Sequence, residues 1–158
     1  MLIVSAVREP DGLRKILAVE VAGTESGSPY QELFHSLKSR GPSGVELIVS
    51  DEHEGLKAAV ARHFQGASHQ RCQVHYARIL LGMVGAKKRK ELGADLRGIF
   101  AAPDKRSALD LASSVAQKWR DKGHEKVAYH VEEHIEECLL DPSSVNDIGP
   151  LREAVPST

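Results

Sequence analysis

The spacing of apolar and polar positions separates strands from helices along this chain. Leu2 to Val7 and Lys15 to Ala22 are strand-like runs joined by Arg8-Glu9-Pro10-Asp11-Gly12. Pro-Asp-Gly is strong turn chemistry, so the pair predicts a β-hairpin. The polar stretch Gly23 to Ser28 then delivers Pro29 to the first turn of a helix running to about Arg40, with Leu33, Phe34 and Leu37 as its buried face. Gly41-Pro42-Ser43-Gly44 ends that helix. Val45 to Val49 predicts a buried strand, Glu52 to about Phe64 a helix, and Ser68 to His75 a short edge strand leading into another helix. From there to Leu140 a helical period continues in three pieces divided near Pro103 and Gly123, and beyond Asp141 the pattern dissolves into an irregular tail. This order predicts an α/β fold: a mixed sheet with one crossover, followed by a helical block.

Asp51 stands where the Val45–Val49 strand gives way to a helix, and two readings compete for it. An Asp at such a junction accepts hydrogen bonds from the free N–H groups of the first helical turn, and the local pattern favours that cap. The carboxyl end of a strand is also where open α/β sheets carry their chemistry.

Composition narrows the classes. A 158-residue chain with 41% hydrophobic and 27% charged residues is an ordinary globular domain. Aromatics at 4% are too sparse for a stacking platform on single-stranded nucleic acid. No apolar run approaches a membrane span, and Met1-Leu2-Ile3-Val4 enters a strand pattern without a basic leader, so the expectation is a cytoplasmic protein. Cys72 and Cys138 are the two cysteines, far apart in sequence, which points to reduced thiols.

The net charge of -1 conceals a segregation. Between Arg71 and Arg106 there are nine Lys/Arg against three acids, whereas from Asp121 onward there are three against nine. The middle of the chain suits a phosphate backbone and the later part does not.

Three further constellations carry candidate chemistry. Arg71-Cys72-Gln73-Val74-His75 offers Cys72 and His75 at a spacing of three, two corners of a zinc site for which His69 and His63 are the nearby completing ligands; the alternative is a buried thiol and a hydrogen-bonded imidazole at a strand-to-helix corner. His130-Val131-Glu132-Glu133-His134 has the H-x-x-E-H spacing of inverted zinc peptidases through His130, Glu133 and His134, but the acids around it fit a solvated helix better. Lys87, Lys88, Arg89 and Lys90 form a basic run that reads either as solvated helix or as a phosphate contact.

Taken together, the block from Val49 to Leu81, VSDEHEGLKAAVARHFQGASHQRCQVHYARILL, resembles the core of the Mutator-type DNA transposases of bacterial insertion sequences and plant Mutator elements. The resemblance runs from about Leu2 to Leu140. It rests on the hairpin with its Asp-Gly turn, the Ser50-Asp51-x-His53-x-Gly55-Leu56 block, the Arg71-Cys72-x-x-His75-x-x-Arg78 block and Leu96 to Pro103. It implies a ribonuclease H-like core over residues 1–83, incomplete at its N-terminal strand, a helical insertion over 84–140 and an irregular tail over 141–158.

The same resemblance implies an Asp-Asp-Glu triad holding two Mg²⁺ or Mn²⁺ ions, with Asp51 matching the second acid and serving as a metal ligand. Hard cations require carboxylate oxygens, and a two-metal pair clamps the attacking and leaving oxygens of a phosphodiester. His53, Cys72 and His75 become active-site neighbours, and Arg71, Arg78, Lys87, Lys88, Arg89 and Lys90 become candidate DNA contacts. The family's first Asp precedes the hairpin, and its third acid follows the insertion in a segment that Leu140 to Pro150 does not match; Glu153 has an Arg before it rather than after. Ile79 also stands where the family usually has Asn.

The expectation is therefore a transposase fragment that is inactive alone and binds metal weakly. The alternatives are a regulatory remnant that binds DNA or protein and, remotely, the zinc peptidase. A hairpin edge that the complete enzyme would cover predicts a homodimer, through strand pairing or helix exchange, readable by sedimentation at high concentration.

Overall fold

The computed structural model describes residues 2–8, 13–20, 29–40 and 44–139. The expected irregular tail over 141–158 and Glu153 lie outside these residues. These described residues fall into two compact units, one from those up to residue 48 and from 52–69, the other from 49–51 and 70–139.

In the first unit β1 (Leu2–Arg8) and β2 (Leu13–Glu20) pair antiparallel, Leu2 opposite Glu20 and Arg8 opposite Leu13, with an irregularity between Val4 and Ser5. This is the hairpin that the Pro-Asp-Gly turn predicts. Helix α1 (Pro29–Ser39) starts at Pro29, where the missing N–H goes unused. Its Leu33, Phe34 and Leu37 are buried against Leu56, Ala59 and Val60 of α2 (Glu54–His63). The spacing of both sets places each on one helical face. Phe34 meets the Phe64 ring edge-on at 5.3 Å, closing the end of that small core.

Strand β3 (Leu47–Ser50) and β4 (Ser68–Arg71) form a second, two-stranded sheet. The Ser68 N–H donates to the Glu46 carbonyl and the Cys72 N–H to the Ser50 carbonyl. The two bonds climb both strands in the same direction, so the strands are parallel, and α2 is the crossover that parallel pairing demands. Among the described residues the strands thus form two separate pairs rather than one mixed sheet. Nor is β3 wholly buried as its apolar run suggests, since Val49 is 41% exposed.

The second unit is mostly helical: α3 (Gln73–Gly82), α4 (Ala86–Phe100), α5 (Lys105–Asp121), α6 (Glu125–His134) and a 3₁₀ turn at Ile135–Cys138. Sequence periodicity carries one helix through Met83-Val84, but the chain breaks there between Gly82 and Gly85, and Val84 drops into the core.

Helix α5 is capped at both ends. The Asp104 carboxylate accepts from the Ser107 N–H at 2.8 Å and from its hydroxyl at 2.9 Å, which holds the Asp104 carboxyl below its ordinary range. At the other end Gly123 adopts φ +79°, its N–H reaches the Arg120 carbonyl and the His124 N–H reaches that of Trp119. That pair of bonds is a Schellman closure, which only a residue tolerating positive φ permits without strain.

The core joins Leu92, Leu96 and Ile99 of α4 to Ala112, Val115, Ala116 and Trp119 of α5 and Val127, Ala128 and Val131 of α6. Fully buried Trp119 donates its indole N–H to Asp95 Oδ2 at 2.8 Å. No helix among the described residues is long and apolar enough to cross a membrane.

Candidate functional site

Parallel strands put their carboxyl ends at one edge, and that edge carries Asp51 after β3 and Cys72 after β4. The Cys72 N–H holds the Ser50 carbonyl at 2.6 Å, fixing the two strand ends side by side. The Ser50 hydroxyl donates to the Asp51 carbonyl at 2.9 Å.

The Asp51 side chain does not cap α2. The cap position belongs to His53, two residues on, in extended conformation and without a side-chain cap bond. The first helical turn begins at Glu54, so Asp51 is too far back to meet its N–H groups. Asp51 is exposed, and among the described residues its carboxylate has no hydrogen-bond or ion-pair partner. A carboxylate left uncommitted by the fold remains open to a cation or a solvent proton. His53 itself, in the first unit, lies with its ring 5.2 Å from that of Tyr30 and packs beside Gly55.

Cys72, half-buried, is the N-cap of α3, and His75 is exposed in the first turn. Neither joins a group of three metal-ligating side chains among the described residues of its unit, and Asp51 joins none there either. Asp51 therefore fits as one oxygen ligand of a hard cation, but the described residues around it in that unit do not complete a two-metal clamp. His63, considered as a zinc ligand, instead stands 2.6 Å from Gln31 Oε1 in the first unit.

The corner below Cys72 is held by a polar clamp that local sequence patterns do not reveal. Gln70 and Gln73 each donate their side-chain N–H to the Cys138 carbonyl, at 3.1 and 3.0 Å. Arg71 is 4% exposed; its guanidinium lies 3.4 Å from Glu137 and 5.0 Å from the Tyr76 ring centroid. The Tyr76 hydroxyl donates to the His130 carbonyl at 2.8 Å. Arg71 thus faces inward, its guanidinium held against a carboxylate and an aromatic face in the setting of a structural anchor rather than on the open surface that a DNA contact calls for.

The other basic candidates remain on the surface. Arg78 is exposed on α3, and Lys87, Lys88, Arg89 and Lys90 are exposed on the first turns of α4. Arg89 donates to the Leu81 carbonyl at 3.2 Å, and Lys88 Nζ lies 2.6 Å from His124 Nε2. Lys87, Lys90 and Arg78 have no partner among the described residues. Cations at a helix N-terminus oppose the macrodipole by a few tenths of a kcal/mol each, so helix stability does not explain the run.

The acids of the later helices are largely engaged. Arg120 grips Glu132 at 2.7 Å and Glu125 at 3.2 Å, and Lys105 reaches Glu136 at 2.7 Å. The Arg120 bond holds the Glu132 carboxyl below its usual range. Glu91 is likewise lowered by hydrogen bonds from Lys122 and Lys118. On α6, the rings of His130 and His134 lie with centroids 5.3 Å apart and tilted by 46°, while His134 Nδ1 lies 3.4 Å from Glu137 and Glu133 is exposed. Among the described residues of this unit they form no three-ligand set with Glu133, and nothing here supports the peptidase.

A βαβ pair thus carries an uncommitted carboxylate at its carboxyl edge, the place where open α/β sheets hold their ligands, and a helix with a basic start follows in the chain. The family profile described as Transposase, Mutator family, matches residues 1–141. The chain is 40% identical over 130 residues to the transposase for insertion sequence element ISRM5 of Rhizobium meliloti (strain 1021), covering 82% of this chain and 32% of that protein. It is 36% identical over 132 residues to the transposase for element IS406 of Burkholderia multivorans, covering 83% and 34%. With the transposase for element IS256 in transposon Tn4001 of Staphylococcus aureus it shares 33% identity over 112 residues, covering 71% and 29%. This chain belongs to the Mutator family of transposases. It spans about one third of the length of these curated relatives.

Proposed function

We propose that the chain is the central part of a ribonuclease H-like transposase catalytic domain, with Asp51 as the second carboxylate of an Asp-Asp-Glu set for DNA cutting and strand transfer. The observation that carries this reading is the position of Asp51: exposed, unpartnered among the described residues, and locked by the Cys72–Ser50 bond at the carboxyl edge of a parallel strand pair. When bound, Mg²⁺ or Mn²⁺ would supply charge neutralisation for the phosphodiester oxygens. The chain's own part is to hold one hard oxygen ligand in place through two strands and a clamped helix start. Two further carboxylates are required for such a set, and strand cleavage by this chain alone is expected to be undetectable.

A regulatory module that binds DNA without cutting it is the second reading, and the α4 start favours it independently of Asp51. Both readings place DNA against Arg78, Lys87 and Lys90. Binding of the chain to duplex DNA is expected to be weak, indifferent to sequence and steeply salt dependent, since each neutralised phosphate releases condensed counterions. Replacing Lys87 and Lys90 by Gln flattens the log–log salt slope by roughly two units, whereas Lys88→Gln, whose amine already meets His124, changes it by less. Fluorescence anisotropy across a salt series checks this; a slope unchanged by the double replacement removes α4 from the DNA surface.

A further inference from the structure

The first unit carries a feature that the Asp51 edge and the α4 start do not use. Between α1 and α2 lies an open groove of about 390 Å³, lined by Gln31, Glu32, His35, Ser36, Arg62 and His63. Cationic and neutral donors predominate in it. Arg62 and His35 are exposed and have no carboxylate partner among the described residues. Lys38 stands nearby, its amine 5.8 Å above the Phe64 ring. Glu32 is the one acid lining the groove.

His63 reports the local field. Burial first, then the charges of Arg62, Lys38 and His35, hold its imidazole below the ordinary histidine range. Charges from both helices therefore crowd one ring, with Glu32 as the one acid lining the same groove. Its ring nitrogen 2.6 Å from Gln31 Oε1 acts as an N–H donor to that amide, which fixes the ring at the groove wall. The Ser36 hydroxyl adds a neutral donor.

We propose that this groove binds a phosphate oxyanion, with Arg62 and His35 as the primary contacts and His63 as a proton-coupled third. Arg62 and the nearby Lys38 outnumber the single carboxylate of Glu32, and N–H and O–H donors along one groove are the chemistry that phosphate oxygens require. Two sources fit: a phosphodiester in a nucleic-acid backbone, and free phosphate or a small phosphate ester. As a backbone contact the site rests on the DNA reading above; as a phosphate site it does not. Its pH dependence has a definite sign. A bound anion favours imidazolium, so the bound state holds His63 at a higher pKa than the free state. Affinity is then gained below the bound-state pKa and lost as pH rises through it.

The test follows the imidazole resonances of His35 and His63 in the full chain, between about pH 5.5 and pH 8, during titration with inorganic phosphate and, separately, with a short DNA duplex. Both resonances are expected to move, and saturating phosphate should raise the His63 titration midpoint by about one unit, equivalent to about tenfold tighter binding at the acid end. Arg62→Gln combined with His35→Gln, both at exposed positions, should abolish most of the His63 response while leaving the circular dichroism spectrum unchanged. Should that pair disturb the fold, Arg62→Gln alone provides the same comparison. Responses to both ligands assign the groove to a nucleic-acid backbone. A response to phosphate without one to DNA keeps the site and assigns it to a free phosphate ligand, against a DNA role for this groove. Silence of both imidazoles, or a response that survives the replacements, overturns the proposal; if DNA still binds through Lys87 and Lys90, the DNA reading stands without it.

Discussion

Trp119→Ala is expected to lower the stability of the helical unit by about 3–5 kcal/mol, the loss typical of removing a large buried aromatic. Trp119 has no exposed surface and packs among the buried residues of α4, α5 and α6, in a core that also holds the fully buried Tyr76 ring. Truncation leaves a cavity that the neighbouring Ala112, Ala116 and Ala128 are too small to fill. Trp119→Phe retains much of the volume but deletes the indole N–H bonded to Asp95, so it should cost less than the alanine variant, about 1–2 kcal/mol. Lys118, raised in pKa first by its bond to Asp95, continues to satisfy that carboxylate. Urea denaturation checks both values. A midpoint for Trp119→Ala within experimental error of the parent would mean that the helices do not share this core.

Arg71→Ala should cost about 2–3 kcal/mol, because it removes a buried guanidinium with its part-buried bond to Glu137 and its packing over the Tyr76 ring. Arg71→Met, which restores apolar contact on Tyr76, should recover part of that loss, since apolar side chains of similar volume replace buried ion pairs well. The pair distinguishes anchor from DNA contact. An anchor loses stability and leaves the DNA salt slope of the folded chain unchanged. A phosphate contact keeps its stability and loses about one unit of slope. The second result would contradict the inward orientation of Arg71.

The contrast between Arg71 and Lys87 shows where sequence reasoning reaches and where it stops. Local rules placed α1 through Pro29 and the Leu33, Phe34, Leu37 spacing, and ended α5 at Gly123, because caps and helix faces depend on residues a few positions apart. They also read β3, α2 and β4 in order with Asp51 at the carboxyl end of a strand, but the single mixed sheet they imply is two separate pairs among the described residues. The partners of Gln70, Arg71 and Gln73 lie more than sixty positions away, at Glu137 and Cys138, and no local period encodes such contacts. Arg71 within a basic stretch therefore reads as surface until the return of the chain at Glu137 shows otherwise. Of the two readings of Asp51, the helix cap does not hold for a smaller reason: Glu52 and His53 intervene before the first helical turn, an offset that the apolar pattern of α2 cannot resolve. The break at Met83-Val84 was written in the flanking Gly82 and Gly85, but their cost is small beside the apolar period that runs through them.

The central claim is that Asp51 is a carboxylate reserved for a metal ion. Titration of isotope-labelled chain with Mn²⁺, read by paramagnetic line broadening, tests it most directly. One carboxylate binds such an ion weakly, on the order of millimolar. The predicted result is broadening in that range centred on Ser50, Asp51 and the adjacent Cys72, lost in Asp51→Asn with the fold intact. Broadening that spares Asp51, or persists unchanged in Asp51→Asn, would contradict it.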